Sequence, residues 1–318
     1  MEQETKKKIL NIYNRFGIII ILVLMMIFLT FRTNGSFISK NNLLNILKQI
    51  ACIGVLACGE TAVIVVGGMD LAVGSTVSLV SVLVAMTAHP DSYPLIVPIL
   101  VGMGMGTACG LFNGLFVAKL RIPPFIVTMS TMTIFAGIAL LITKGTPVNG
   151  FSKAFNYIGG GKILGIPFPV FILATVVIIS WFVLKKTSVG YHITSVGGNE
   201  NAAKMAGINT ARTKIFAYTF CGFMSGIGGI LLTSRVQSGL ANLGDGLEMK
   251  AIAAAVIGGA SLAGGKGNVL YTIIGACIIG VINNGMDLLR VNMYWQDIVS
   301  GAVIVLAVLL DTLKNRLD

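Results

Sequence analysis

Three acidic side chains lie within or beside long apolar stretches of this sequence. Glu60 lies inside an apolar run, Asp70 follows a glycine pair, and Asp297 opens the last apolar segment. Carboxylates are costly in hydrocarbon, so such acids are candidates for contact with a transported ion or solute. They can also tie helices together through hydrogen bonds. Both interpretations stay open for Glu60, while the structural one is favoured for Asp70 and Asp297.

Amide and aromatic side chains extend the set of groups that a polar solute could meet. Asn113, Asn283 and Asn284 lie in apolar segments and admit the same two roles as the acids. Phe125 is the aromatic side chain that we expect along the path of such a solute. These residues and the acids Glu60 and Asp70 form the candidate path.

Glycine marks two further features of the chain. The pairs Gly67–Gly68 and Gly258–Gly259 interrupt apolar segments and are candidate hinges, because glycine tolerates backbone states that other residues avoid. Glycine also recurs at every fourth position, a spacing that predicts close helix packing and, as the alternative, a role in opening a pathway. These glycines are Gly102, Gly106, Gly110, Gly114, Gly222 and Gly226.

Motifs of catalysis are missing from the sequence. There is no H-E-x-x-H or G-x-S-x-G pattern and no paired catalytic carboxylates, which argues against an enzyme. Lys266 follows a glycine as in a phosphate-binding loop, but Gly267 replaces the required Ser or Thr, so we expect no ATP site on this chain. The five cysteines form no CxxC pair and lie in apolar stretches, so neither a metal site nor a cofactor is predicted.

The composition is that of an all-α polytopic membrane protein. The 318 residues are 55% hydrophobic and 11% charged, against about 25% charged in soluble domains. The net charge of +11 lies in short loops between apolar blocks, which argues for membrane orientation rather than nucleic-acid binding. We predict ten membrane segments in one transmembrane domain covering residues 1–318. They are 16–31, 44–66, 76–88, 95–118, 123–143, 167–184, 214–234, 249–263, 268–285 and 295–311.

Loop charge and internal similarity refine this topology. Lys and Arg are about twice as frequent in the loops that face inward when both termini are cytoplasmic, so we predict that orientation. Segments 76–88 and 249–263 are short and either could be re-entrant. Residues 66–74 resemble 257–265, and 110–114 resemble 281–285, in the same order, which indicates two pseudo-repeated halves. The two offsets differ by about one segment, so a simple parallel repeat does not explain both matches.

The longest polar stretch, residues 185–213, is predicted to contain a short cytoplasmic helix. Asn199 suits the N-cap, Glu200 the first turn and Gly207 the residue after the C-cap. Ala202, Ala203 and Lys204 favour helix between them. The helix either caps the loop or forms a rigid knob that docks into a cytoplasmic partner.

Five stretches in order resemble the permease subunits of binding-protein-dependent ABC importers, in particular the sugar branch and its ribose permeases. An alanine pair followed by a glycine within 199–207 is similar to the coupling loop of those permeases. The resemblance extends over nearly the whole chain. The stretches are 67–75, 125–132, 197–209, 251–267 and 280–289.

The resemblance implies a function and a set of partners. The chain would carry a monosaccharide, ribose in the first place, across the inner membrane of a bacterium. A separate cytoplasmic ABC ATPase would hold the Mg-ATP and contact the helix at 199–207, an external sugar-binding protein would deliver substrate, and a second permease copy would complete the pathway. The alternative is an ion-coupled secondary transporter of a small polar solute, which would use the intramembrane acids and need no cytoplasmic knob.

Overall fold

The structure, a computed structural model, describes the backbone of residues 2–90 and 93–317. Side chains are described within residues 17–312, except at 91, 92, 293, 297, 307, 310 and 311. The described chain is helical apart from one two-stranded antiparallel ladder, an isolated antiparallel bridge between Val148 and Gly239, and the connecting loops. The α-helices are α1 (Glu2–Arg32), α2 (Lys40–Val65), α3 (Val73–Thr87), α4 (Ile96–Ala118), α5 (Pro124–Thr143), α6 (Lys153–Gly160), α7 (Phe168–Lys186), α8 (Ser188–Gly198), α9 (Glu200–Met205), α10 (Thr210–Val236), α11 (Leu247–Ile257), α12 (Val269–Leu288) and α13 (Met293–Leu317). The strands β1 (Lys162–Ile163) and β2 (Ile166–Pro167) lie between α6 and α7, and a 3-10 helix spans Ser36–Ile38.

Each of the ten predicted segments overlaps a helix. Among the described residues, six helices are long and apolar enough to cross a membrane, namely α2, α4, α5, α7, α10 and α12. Shorter apolar stretches occupy Gly17–Arg32, α3 and Tyr294–Leu306. One predicted boundary is wrong: α11 ends at Ile257, so the last six residues of the segment 249–263 lie outside the helix. Two consecutive glycines end the helix there, although the apolar residues that suggested a longer segment continue beyond them.

The polar stretch 185–213 is more ordered than predicted. Besides α9 it contains the whole of α8, which begins immediately after α7 and whose Ile193 and Val196 are buried. The sequence of α8 contains three glycines, which weaken helix propensity, and tertiary packing of these two apolar residues overrides that preference.

Helix α2 forms the centre of the molecule. From Ile50 to Val65 every residue of α2 is buried, and the helix packs against α7, α10, α11 and α12. A helix that is apolar on all sides either faces lipid or is surrounded by protein, and the burial of this stretch shows that protein surrounds α2. Any polar side chain on this stretch, such as Glu60, must therefore find its partners inside the protein.

The glycine repeats pack α4 against α10, as the spacing predicts. A Cβ on Gly106 would lie 2.6 Å from the backbone nitrogen of Gly226, and a Cβ on Gly110 would lie 2.9 Å from the Cα of Gly222. Such distances are below those of real Cβ contacts, so the two backbones touch only because neither helix carries a side chain there.

Two helix breaks follow the glycine pairs. The first comprises residues 66–72 between α2 and α3, and the second residues 258–268 between α11 and α12. Gly67 (φ +88°) and Gly259 (φ +85°) adopt the left-handed conformation, and each begins the same helix-terminating hydrogen-bond pattern. The sequence similarity aligned Gly67 with Gly258, so the structural equivalence is shifted by one residue.

Candidate functional site

A cluster of buried polar side chains fastens the first helix break. Glu60 from α2, Asp70 from the break and Asn113 from α4 are all almost inaccessible to solvent. The Asp70 backbone N–H donates to Glu60 Oε1 at 3.1 Å, and the Asn113 amide nitrogen donates to Asp70 Oδ1 at 3.2 Å. Asp70 Oδ1 also accepts from the Ala72 backbone N–H at 3.0 Å. The structure thus brings together three of the predicted residues.

Helices α5 and α10 complete the enclosure of this break. The Met69 carbonyl accepts hydrogen bonds of 3.4 Å from Tyr218 Oη and from Thr128 Oγ1. Cys221 Sγ donates to Glu60 Oε2 at 3.5 Å, so both oxygens of Glu60 have protein donors. This network connects α2, α4, α5 and α10 to a single loop. Among the described side chains, no group of three or more His, Cys, Asp or Glu residues could hold a metal.

Three predicted residues lie apart from this cluster. Phe125 is half exposed in the first turn of α5, one turn before Thr128, and Asn283 is half-buried on α12. Asn284 is buried and exchanges two hydrogen bonds, of 2.9 and 2.8 Å, with Asn42 at the start of α2. That pair connects two helices. The side chain of Asp297 lies outside the described part of the chain.

Of the second predicted glycine pair, Gly258 lies where two helices pack together and Gly259 does not. A Cβ on Gly258 would lie 2.5 Å from the Cα and nitrogen of Thr272, so α11 and α12 meet backbone to backbone at this point. Gly259 has open space around its Cα, and its positive φ alone favours glycine.

Helix α9 has the capped form predicted for residues 199–207. Asn199 Oδ1 accepts from the Ala202 backbone N–H at 2.9 Å, and Glu200 forms an ion pair of 2.7 Å with Lys214 of α10. Gly207 (φ +83°) ends the helix in a Schellman motif, in which Ile208 N–H donates to the Ala203 carbonyl at 3.0 Å.

The faces of α9 differ sharply in exposure. Ala203 is buried against the C-terminal end of α2, whereas Ala202 and Lys204 are exposed. Met205 is 91% exposed, which is unusual for a large apolar side chain and was not anticipated from the sequence. An exposed methionine at the end of a rigid two-turn helix is suited to insertion into a partner surface.

A cavity of about 710 Å³ lies beside α9. It is bounded by the α4–α5 connection, the start of α10 and the first helix break, and Gly67, Gly68 and Tyr218 lie on its wall. Arg121, Lys204 and Lys214 give the cavity a basic lining, offset by Glu200. The cavity connects the face of α9 with the loop that holds Asp70.

One buried acid, Glu248, was missed by the sequence reasoning. Residues 237–246 run antiparallel along α3, where Gly244 N–H donates to Ser78 Oγ at 2.9 Å and Leu240 N–H to Ser81 Oγ at 3.4 Å. The N-termini of α3 and α11 therefore meet, and a Cβ on Gly74 would overlap Glu248 Oε2. That oxygen has no hydrogen-bond partner within the described residues. Two helix N-termini lower the cost of a negative charge here, while burial of the carboxylate opposes it.

The chain is similar in sequence to known membrane transport proteins. Residues 42–308 match the family described as branched-chain amino acid transport system / permease component. The ribose import permease protein RbsC of Bacillus subtilis (strain 168) is 43% identical over 284 residues, covering 89% of this chain and 88% of that protein. RbsC of Escherichia coli (strain K12) is 40% identical over 303 residues, 94% of either chain. The xylose transport system permease protein XylH of Haemophilus influenzae is 33% identical over an alignment of 359 positions. No solved structure matches the chain.

Proposed function

Because this chain belongs to the family of transport-system permease components, we propose that it is the membrane subunit of an ABC importer for ribose. The observation that carries the proposal is the identity of 40–43% with ribose import permeases over about nine-tenths of both chains. The alignment with XylH covers 359 positions and exceeds the 318 residues of this chain, so XylH carries inserted segments that this chain lacks. Ribose is accordingly the first substrate to test.

The proposed topology has ten spans within a single domain of residues 1–318, two pseudo-repeated halves and both termini in the cytoplasm. It is supported by the six long apolar helices and by the excess of Lys and Arg in the inward loops. In this orientation α8 and α9 lie at the cytoplasmic face of a bacterial inner membrane, and residues 237–246 descend into the protein from outside. Lipid would cover the exposed apolar side chains of α5 and α7.

The proposed partners follow from the same orientation. A cytoplasmic ABC ATPase would bind Mg-ATP and receive α9, an external sugar-binding protein would deliver ribose, and a second permease copy would complete the pathway. The exposed Met205 and the fixed ends of α9 support an ATPase contact there. Closure of the ATPase would push α9 and switch the pathway between outward and inward access. Because coupling free energy is reciprocal, substrate delivery outside would also favour ATPase closure.

Reconstitution in liposomes with the ATPase and binding protein tests the proposal. Uptake of labelled ribose should require ATP and ignore an imposed proton gradient. Uptake that follows the proton gradient without ATP would refute the importer and favour ion coupling through the buried acids. ATP-driven uptake of another sugar alone would correct the substrate and keep the mechanism.

A pair of surface variants tests the proposed ATPase contact. Met205→Glu places a charge on the exposed end of α9 and should abolish both co-purification of the ATPase and uptake. Leu164→Glu is the matched control, since Leu164 is 96% exposed on the β1–β2 turn at the opposite end of α7. It should leave co-purification unchanged. Equal co-purification by both variants would contradict docking at α9.

A further inference from the structure

The last two residues of α8 lie against the end of α2 and the second helix break through backbone atoms, and a Cβ on Gly67 in the first break would lie 3.8 Å from the Gly197 Cα. A Cβ on Gly197 would overlap the Val65 carbonyl oxygen at the end of α2 and would lie 2.7 Å from the nitrogen of Gly265 in the second break. Gly265 N–H itself donates to that Val65 carbonyl at 2.8 Å. Three chain segments that are distant in sequence therefore converge at one point with no side chain between them.

The glycines of the second break are shaped to this contact. Gly264 (φ +85°) and Gly265 (φ +76°) both adopt the left-handed conformation that side chains rarely take. A Cβ on Gly264 would lie 2.6 Å from the Gly197 carbonyl oxygen, and one on Gly265 would lie 2.8 Å from the Gly198 Cα. A side chain is therefore excluded on both sides of this contact, at the end of α8 and in the second break.

The same residues continue directly into α9. Asn199 is the single extended residue between α8 and α9, and its side chain caps α9. An apolar cluster that includes Val196 of α8, Ala203 of α9 and Val65 of α2 holds the two short helices together against the end of α2. A displacement of α9 would accordingly move the end of α8 with it.

We infer that Gly197 is a positioning residue that transmits movement of α9 to both helix breaks through direct backbone contact. The inference rests on the proposed importer function and adds the path of coupling within this chain. Side chains absorb small shifts by changing rotamer, but a backbone contact without side chains cannot, because packed interiors transmit strain. The first break carries Asp70 and its buried network, so movement at Val65 reaches that network directly.

The chain offers a matched pair of substitutions. Gly197→Ala introduces a Cβ into the backbone of Val65, the residue that precedes the first break, and of Gly265 in the second break, whereas Gly198→Ala introduces one with nothing within 4 Å. Both residues lie at the same end of α8, so helix propensity changes equally. In liposomes with the ATPase and binding protein, Gly197→Ala should lower ribose uptake per ATP hydrolysed by about tenfold, within the usual range of coupling energies. Gly198→Ala should retain the wild-type ratio.

A second measurement uses the unmodified chain and does not depend on whether a variant folds. Hydrogen exchange of the assembled complex, with and without a trapped nucleotide, should show linked changes at residues 185–213, 66–72 and 258–268. A change confined to 185–213 would overturn the inference, as would a wild-type uptake-to-ATP ratio in Gly197→Ala. Both outcomes leave ATP-driven uptake by the wild type intact, so they are distinct from failure of the importer itself.

Discussion

The contact between α4 and α10 permits a quantitative prediction from two alanine substitutions on one helix. In Gly106→Ala the new Cβ lies 2.6 Å from the nitrogen and 2.7 Å from the Cα of Gly226, with the Gly222 carbonyl closer still. In Gly104→Ala, half a turn away, nothing lies within 4 Å. Both changes replace glycine by the best helix former, so their effects on helix propensity and on the unfolded chain are the same.

The magnitude follows from the separation that the new methyl group requires. Ordinary contacts of a Cβ begin at 3.4 Å, so the 2.6 Å approach to Gly226 falls short by 0.8 Å. The neighbours are backbone atoms of a rigid helix, and the two helices must move apart by roughly this distance. Overpacking of this kind costs about 1–3 kcal/mol, while the gain in helix propensity is about 1 kcal/mol. Gly104→Ala should therefore stabilise slightly, and Gly106→Ala should be about 1–3 kcal/mol less stable than it.

Thermal unfolding of the two variants in the same detergent measures this difference directly. The fraction of folded protein that survives heating, followed by size-exclusion chromatography, should fall at a lower temperature for Gly106→Ala than for Gly104→Ala. Identical midpoints would show that α4 and α10 do not touch through their glycines, and would refute the packing argument for the whole repeat.

Three further predictions concern polar contacts. Asp70→Ala leaves two buried donors without an acceptor and should cost about 3 kcal/mol or more in unfolding free energy, whereas Asp70→Asn keeps an acceptor oxygen and should cost clearly less. Equal losses by the two variants would contradict the assigned network. Asn199→Ala removes the N-cap of α9 and should weaken protection of its amides against hydrogen exchange by about 1 kcal/mol, with Asn199→Ser close to wild type. For the amide pair, Asn42→Ala and Asn284→Ala should be non-additive by about 0.5–3 kcal/mol in a double-mutant cycle of stability. Strict additivity would mean that the two amides do not interact.

Local signals predicted several elements correctly. The cap of α9 follows from Asn199 and Gly207, because a capping side chain and a left-handed glycine act within a few residues of the chain. The existence of the helices likewise follows from apolar runs long enough to cross a bilayer. The close approach of α4 to α10 was indicated by a spacing of four residues, which places the glycines of each helix on one face.

The surroundings of individual side chains depend on which distant segments pack together. The local sequence pattern does not indicate this. Glu60 was equally open to a transport or a structural role, and only the fold shows its oxygens occupied by Asp70 and Cys221. Phe125 is half exposed at the start of α5, and its place on the path stays a prediction, since an aromatic residue in an apolar helix gives no sign of which face is covered. Glu248 escaped notice because its significance arises from two helix N-termini brought together by a loop.

The sequence by itself determined the class of this protein: a helical membrane permease with a short capped helix at residues 200–205. Hydropathy and helix capping depend on residues close together in the chain, and the order of the motifs can be read along it, so none of them requires knowledge of the fold. Tertiary structure alone decided that the end of α8 touches both helix breaks, and that α3 and α11 meet at their N-termini. The reason is that a glycine in the sequence shows only where another backbone could approach closely. Which backbone fills that space depends on a segment far away in the chain, and only the fold brings the two together.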